Sequence, residues 1–374
     1  MPVTVQSSMR RLAAGLVVLA CAGCGSVAGN SGLPRTPASS QNASPAREAS
    51  PSASPSSQPT TEAAWKLPVA TSSSGNTATA GFISLSDGTF DPDHQSDLAN
   101  NSVGSPPLKG TWSRTNVAMF PTYDLPQHRW VPVSIQQLTP DGAEYAYAEW
   151  VMPTGPANGP TPPAAIRIHV VDVLTTLDRV VYTTTKQLLS VVAFLPDGIY
   201  VTDQCWEGCG GVGGMWLLNP STGQLKTILA SDSDHTDWRW ISKGVAWGTD
   251  PNSDNNNVHR LDISTGSVSS WPSPSKPAAL LGVDSQGFPV VVAQDPYTGA
   301  VELWDENSPT SGTRIFASPT YVDFSSSVSG PCGTWIGSTD RLYELTSSGN
   351  LQPLATNMVA QSAGLIVAGP CVPA

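Results

Sequence analysis

The sequence is poor in charge: Asp, Glu, Lys and Arg together make up 13% of its 374 residues, against roughly a quarter in typical soluble domains. Basic residues are the scarcer sign, 18 against 29 acidic, so nucleic acid and bare anionic lipid are poor partners. Histidine is limited to His94, His128, His169, His235 and His259, which are scattered, and no second CxxC or HxxxH accompanies any cysteine pair. A structural zinc site is therefore not expected. No segment keeps a convincing helical period over three turns, and the chain lacks GxSxG, HExxH and P-loop patterns. Gly208 to Gly213 matches GxGxxG in letters only, because a strand rather than a helix follows it.

The first apolar stretch, Leu12 to Leu19, follows Arg10 and Arg11 and ends in Ala20-Cys21-Ala22-Gly23-Cys24. A basic start, a short apolar centre and a small-residue end make an export signal, too short to span a bilayer stably. Ala22-Gly23-Cys24 resembles the end of bacterial lipoprotein signal peptides. That resemblance implies cleavage before Cys24 and diacylglycerol on its sulfur, with residues 1–23 lost and the mature chain held at the cell membrane on its extracytoplasmic side. Cys21, standing where leucine is usual, is the alternative acylated residue, and a plain secretory signal is the other reading.

Residues 24–64 read as a disordered tether: between positions 34 and 63 there are eight Ser and six Pro and no Leu, Ile, Val or aromatic, so too little apolar surface is available to offset ordering. Such a segment reaches about 30 Å as a flexible coil and about 90 Å if its prolines extend it. Residues 65–109 read as a partly β extension, and residues 110–374 as the main domain. Four cysteines lie in the domain that follows the tether: Cys205, Cys209, Cys332 and Cys371. An even count in an exported chain favours disulfides; Cys205 with Cys209 would close a local loop, leaving Cys332 with Cys371.

Turn signals repeat along the main domain. Pro140-Asp141-Gly142, Pro196-Asp197-Gly198, Ser242-Lys243-Gly244, Ser285-Gln286-Gly287, Ser329-Gly330 and Ser362-Ala363-Gly364 place glycines 56, 46, 43, 43 and 34 residues apart. A second series, Tyr123-Asp124, Val171-Asp172, Leu218-Asn219, Leu261-Asp262, Trp304-Asp305 and Glu344-Leu345, runs in phase with it. Between the turns lie short alternating or apolar runs such as Glu144 to Trp150, Ile166 to Val171, Ile199 to Thr202 and Val290 to Ala293. Strand, Gly turn, strand, variable loop, strand, Asp or Asn hairpin, strand is the order of a four-stranded propeller blade. The fold expected is all-β: a six-bladed β-propeller, or a seven-bladed one with a degenerate blade. The leftover half-blades should complete one another, strands near Leu365 to Val367 pairing with Val117 to Phe120 and Trp130 to Val133 and so hiding sheet edges. Over residues 110–374 the chain resembles the exported propellers of the WD40-like and TolB-like kind, of which Trp304-Asp305 carries a single WD dipeptide. That resemblance implies a binding or assembly surface.

The long variable loops, Met152 to Ala165, Asp203 to Gly214, Thr249 to Val258 and Gln294 to Gly299, all join the second to the third strand of a blade. They open on one face together with the connections between blades, and that face is where a ligand is expected. Trp206 and Glu207 inside the Cys205 to Cys209 loop, with Asp203, Asp234, His235 and Asp250, are the candidate ligand-binding residues. Trp216, Trp238, Trp240 and Trp247 fit blade core better. Asp250, Asn252 and Asp254 alternate as calcium ligands do, although no Gly holds the sixth place and Leu261 stands where a closing Glu would be; calcium is the one cofactor considered. The leading function is a non-enzymatic module that binds an envelope protein or extracellular ligand. The alternatives are a carbohydrate hydrolase or lyase, using carboxylates such as Asp203, Glu207, Asp234 or Asp250 as acid and base, and a structural lipoprotein stabilised by calcium.

Overall fold

The computed structural model describes residues 64–72, 78–93, 122–153, 162–204, 213–230, 236–250, 257–271, 278–338, 341–354 and 365–374. The chain divides into the units Met1–Thr60 and Thr61–Ala374, and all described residues belong to the second. The export signal with Cys21 and Cys24, most of the tether, the Cys205 to Cys209 loop with Trp206 and Glu207, Asp234, His235, Asn252 and Asp254 lie outside the described residues.

Three strands open the domain, β1 (Trp65–Ser72), β2 (Ala78–Ser84) and β3 (Phe90–Pro92). A hairpin of β4 (Thr122–Asp124) and β5 (Arg129–Val131) follows, then one 3-10 turn at Ile135–Gln137. Next come β6 (Glu144–Val151), β7 (Ala165–Asp172) and β8 (Asp178–Thr184). Four sets of four succeed them. The first set is β9 (Leu189–Leu195), β10 (Gly198–Asp203), β11 (Met215–Leu218) and β12 (Leu225–Leu229). The second is β13 (Asp237–Ser242), β14 (Val245–Thr249), β15 (Val258–Asp262) and β16 (Ser267–Trp271). The third is β17 (Ala278–Val283), β18 (Pro289–Gln294), β19 (Val301–Ser308) and β20 (Ser311–Ser318). The fourth is β21 (Phe324–Gly330), β22 (Gly333–Ser338), β23 (Leu342–Leu345) and β24 (Leu351–Leu354). β25 (Leu365–Val367) and β26 (Val372–Pro373) end the chain.

Each set of four is one antiparallel sheet with its strands in chain order. The first strands of neighbouring sets touch, β9 with β13, β13 with β17, β17 with β21 and β21 with β25, so the first strand of each blade is innermost. Composition follows position. β9, of sequence LSVVAFL, is buried at every residue up to Phe194, whereas the outermost β16, SVSSW, is exposed at all but Trp271. Apolar clusters then fill the wedges between successive blades. Ile166, Ile168 and Val170 of β7 meet Leu189, Ile199 and Leu218 across one wedge, and Trp247, Val258 and Trp271 meet Val283 and Val291 across another.

The expected all-β, six-bladed ring with paired N- and C-terminal strands is what these sheets make. Closure differs in its partners. β25 pairs with β1 through Val69–Val367, Ala70–Ile366 and Thr71–Leu365, and β26 pairs with Trp65 and Lys66. The closing blade is thus β25-β1-β2-β3, and residues 65–92, read from sequence as an extension, supply three of its strands. Of the strands expected to pair with the C-terminus, Val117 to Phe120 lies outside the described residues, and Trp130 to Val133 does not pair there: Arg129–Val131 forms a small hairpin with Thr122–Asp124. This hairpin is wedged between the closing blade and β6–β8: Tyr123 donates its N–H to the Ala368 carbonyl, and Tyr123 and Trp130 pack on Phe82. The β6–β8 blade has only an isolated bridge, Leu138 to Tyr145, where the other blades have an innermost strand.

Two devices tighten the seam. Gly337 of β22 lies where a Cβ would stand 2.2 Å from the Leu365 carbonyl oxygen, so only glycine lets β25 dock there. Cys332, in the β21–β22 turn, is disulfide-bonded to Cys371, 39 residues on, as expected.

The Asp and Asn hairpins share one construction. Asp172, Asn219 and Asp262 each accept two backbone N–H groups with their side-chain oxygen, and the N–H four residues on returns to their own carbonyl. The residue at that fourth place is left-handed: Thr176 at φ 58°, Gly223 at 69° and Gly266 at 71°. Trp304-Asp305 departs from the pattern. β19 runs on to Ser308, so the dipeptide is mid-strand and the turn falls three residues later than the spacing predicts.

Candidate functional site

The innermost strands of the four complete blades each carry one bulged residue: Val192, Arg239, Leu281 and Ser325 are skipped in the pairing with their partner strands. A bulge re-aims a side chain, and in three blades it re-aims a small or aliphatic one. In the blade β13–β16 it re-aims a guanidinium. Arg239 is grasped by Asp237 two residues earlier, whose carboxylate accepts its Nε–H at 2.7 Å with Nη2 at 2.6 Å.

That ion pair lies at the edge of a pocket of about 700 Å3. The pocket is built from the start of β13, the ends of β14 and β18, the starts of β17 and β19, and the approach to β21. These are the ends that carry the second-to-third-strand loops and the connections between blades, the face on which a ligand was expected. Its apolar lining includes Ala278, Ala279, Leu280, Val292, Val301, Val322 and Phe324. Its polar lining is Asp237, Arg239, Thr249, Asp250, Gln294, Tyr321 and Asp323. Tyr321 is 58% exposed; partial burial and the neighbouring Asp323 carboxylate raise its phenol above the ordinary value.

The β18–β19 loop reaches the same pocket through Pro296. Asp295 accepts the N–H groups of Tyr297 and Thr298, and Gly299, at φ 72°, returns its N–H to the Asp295 carbonyl. This is the hairpin construction of the opposite face reused in a second-to-third-strand loop, and Tyr297 within it is 95% exposed. An exposed aromatic on a hydrogen-bonded turn suits contact with a ligand, because little ordering remains to be done on binding.

Of the residues singled out from sequence, Asp250 lines the pocket. Asp203, at the end of β10, is 9% exposed, belongs to the preceding blade and is not part of the lining. The two carboxylates proposed for acid and base work that are described thus stand in different blades. Trp216, Trp238 and Trp247 are blade core, as expected; the indole N–H groups of Trp238 and Trp247 donate to the carbonyls of Gly213 and Gly287. Among the described residues no group of three or more His, Cys, Asp or Glu is arranged to hold a metal. Sequence reasoning missed Arg239, Tyr297, Tyr321 and Asp323, none of which belongs to a recognisable motif.

Three carboxyl groups are pushed up by burial, and none lines the pocket. Asp124, fully buried at the end of β4, titrates at about 6. Asp305 is raised to about 6 by burial and by Asp284, and Glu306, 1% exposed, to about 7 by burial and by Asp305. Asp305 and Glu306 stand beside the β19–β20 hairpin, at the other end of the blade from the pocket.

No family model matches the sequence, and no curated protein matches it. Solved structures similar to the chain include TolB from Acinetobacter baumannii, at 14% identity over 82% of this chain and 67% of that one, with a TM-score of 0.43. A protein from Lactobacillus plantarum is similar at 11% identity over 80% and 98%, with a TM-score of 0.45. Dipeptidyl peptidase 4 from Porphyromonas gingivalis is similar at 12% identity over 60% and 37%, with a TM-score of 0.35. Likenesses of this size say nothing about a ligand, and a propeller fold does not by itself imply a function.

Proposed function

We propose that this chain is an exported lipoprotein, held at the extracytoplasmic side of the cell membrane through Cys24, whose propeller is a non-enzymatic binding module for an envelope protein or extracellular ligand. The observation that carries the binding reading is the pocket on the loop-bearing face, where three consecutive blades contribute an apolar lining, charged groups and the exposed Tyr321. A concave site with an apolar interior and a few placed polar groups is the usual form of a ligand site. The anchor follows from the signal sequence and the tether from composition.

Two measurements test the reading. Labelling with an alkyne fatty acid should mark the full chain and fail in Cys24→Ala, which should also leave the membrane fraction; labelling that survives Cys24→Ala would reject Cys24 as the anchor. Cross-linking the full chain in its native membrane should capture a specific partner. Ala279→Trp, which places an indole in the pocket from an exposed position on β17, should abolish that capture, while Lys226→Ala on the outermost β12 should not. Capture indifferent to Ala279→Trp, in a variant of unchanged melting temperature, would reject the pocket as the binding site.

A further inference from the structure

The charges around the pocket narrow what it takes. Three carboxylates, Asp237, Asp250 and Asp323, line it against one guanidinium. That guanidinium is already held by Asp237 at 2.6 and 2.7 Å, so an arriving anion would have to displace a short charge-assisted bond and face the other two carboxylates. The formal charge of the lining is negative, and the chain as a whole carries a net charge of −11, which steers cations toward the protein and anions away. Beside the charged groups the lining is aliphatic and aromatic, including Leu280, Val292 and Phe324. A ligand that is cationic at its tip and apolar along its stem satisfies both parts of such a site, as Lys and Arg side chains do. The exposed ring of Tyr321 in the lining adds an aromatic face that attracts a cation. A volume of about 700 Å3 exceeds the needs of one side chain and leaves room for the backbone on either side of it.

We propose that the pocket receives a Lys or Arg side chain from a basic segment of a polypeptide partner, its stem against the apolar lining and its charge among Asp237, Asp250 and Asp323. This rests on the reading of the pocket as a binding site and adds the chemistry of the ligand.

The test uses the full chain and three fluorescent peptides of one length: alternating Lys and Ala, the same peptide with every Lys acetylated, and a Glu-Ala counterpart. The Lys peptide should bind, more weakly as salt is raised, and the other two should not. Asp250→Asn should weaken binding about tenfold and the pair Asp250→Asn, Asp323→Asn about a hundredfold, with melting temperatures unchanged. Equal binding of the acetylated peptide, or binding indifferent to both substitutions, overturns the inference. If the acetylated peptide binds and Ala279→Trp abolishes it, the cationic assignment fails while the pocket stands. If Ala279→Trp alters neither peptide binding nor partner capture, both readings fail. If calcium alone raises the melting temperature, Asp250→Asn removes that rise, and calcium displaces the Lys peptide, the site belongs to the metal and the inference is wrong.

Discussion

The two faces of the ring are made from the same strands and do different things with their ends. On one face the turns are short and fastened from within: Asp172, Asn219 and Asp262 cap their own hairpins, Cys332 is bonded to Cys371, and Glu306 is enclosed beside the β19–β20 turn. On the other the ends diverge, and those of three consecutive blades surround a pocket with the exposed Tyr321 in its lining. The difference teaches where selection for stability and selection for binding can act separately: substitutions on the fastened face should cost folding free energy and spare the ligand, and substitutions around the pocket should do the reverse.

The largest effect on the fastened face should come from the seam. Replacing Cys332 and Cys371 together by Ser removes a cross-link over a 39-residue separation and should lower unfolding stability by about 3 kcal/mol in denaturant titration, leaving affinity for the Lys peptide unaltered. Loss of that affinity in protein that is still folded would show that the two faces are not independent.

Next comes pH. Glu306 titrates at about 7 in the folded chain against 4.5 for an ordinary glutamate. Below the lower value it is protonated in both states and stability is at its full level. Between the two values the unfolded chain has already released a proton that the folded chain keeps, so stability falls as pH rises, and above the higher value it levels off. Asp305 adds to this with the same sign. The expected loss from Glu306 alone between acid and neutral pH is on the order of 3 kcal/mol, and Glu306→Gln should remove that share and leave the comparable one from Asp305. A melting temperature that rises over this interval would contradict the assignment.

A smaller gain is available at Thr176, which holds a β-branched residue at φ 58° where the equivalent hairpins use glycine. Thr176→Gly should stabilise the protein by about 1 kcal/mol. The smallest stability effect belongs to the pocket rim: Tyr297→Ser, at a 95% exposed position, should change stability by less than about 0.5 kcal/mol and yet weaken partner capture.

Much of the scaffold was legible because its turns need particular residues. Gly142, Gly198, Gly244 and Gly287 all sit at positive φ in the turns between first and second strands, a local requirement for glycine that made the blade period readable in the sequence. Trp304-Asp305 misled because a dipeptide was read as a turn without the left-handed glycine that follows Asn219 and Asp262 at the fourth place; β19 runs on past it, and Glu306 is buried against Gly312, where a Cβ would touch its carboxylate. Closure was legible as a need and not as a partner. Pro68 interrupts the apolar run of β1 and lacks an N–H, which argues against a strand flanked on both sides, yet β1 pairs with both β2 and β25. The pocket was the least legible feature. Asp237 and Asp250 are about seventy residues or more from Tyr321 and Asp323 in sequence, and the two pairs meet only because successive innermost strands lie side by side. Loop length alone identified the face.

The most direct test of the division between faces is a photo-reactive phenylalanine analogue placed at Tyr297 in one full-length variant and at Gln286, in the β17–β18 turn of the opposite face, in another, each irradiated in its native membrane. The account predicts a discrete adduct from position 297 that is lost with Ala279→Trp and suppressed by excess Lys peptide, and none from position 286. An adduct from position 286 alone, or one from position 297 that neither treatment removes, would contradict it.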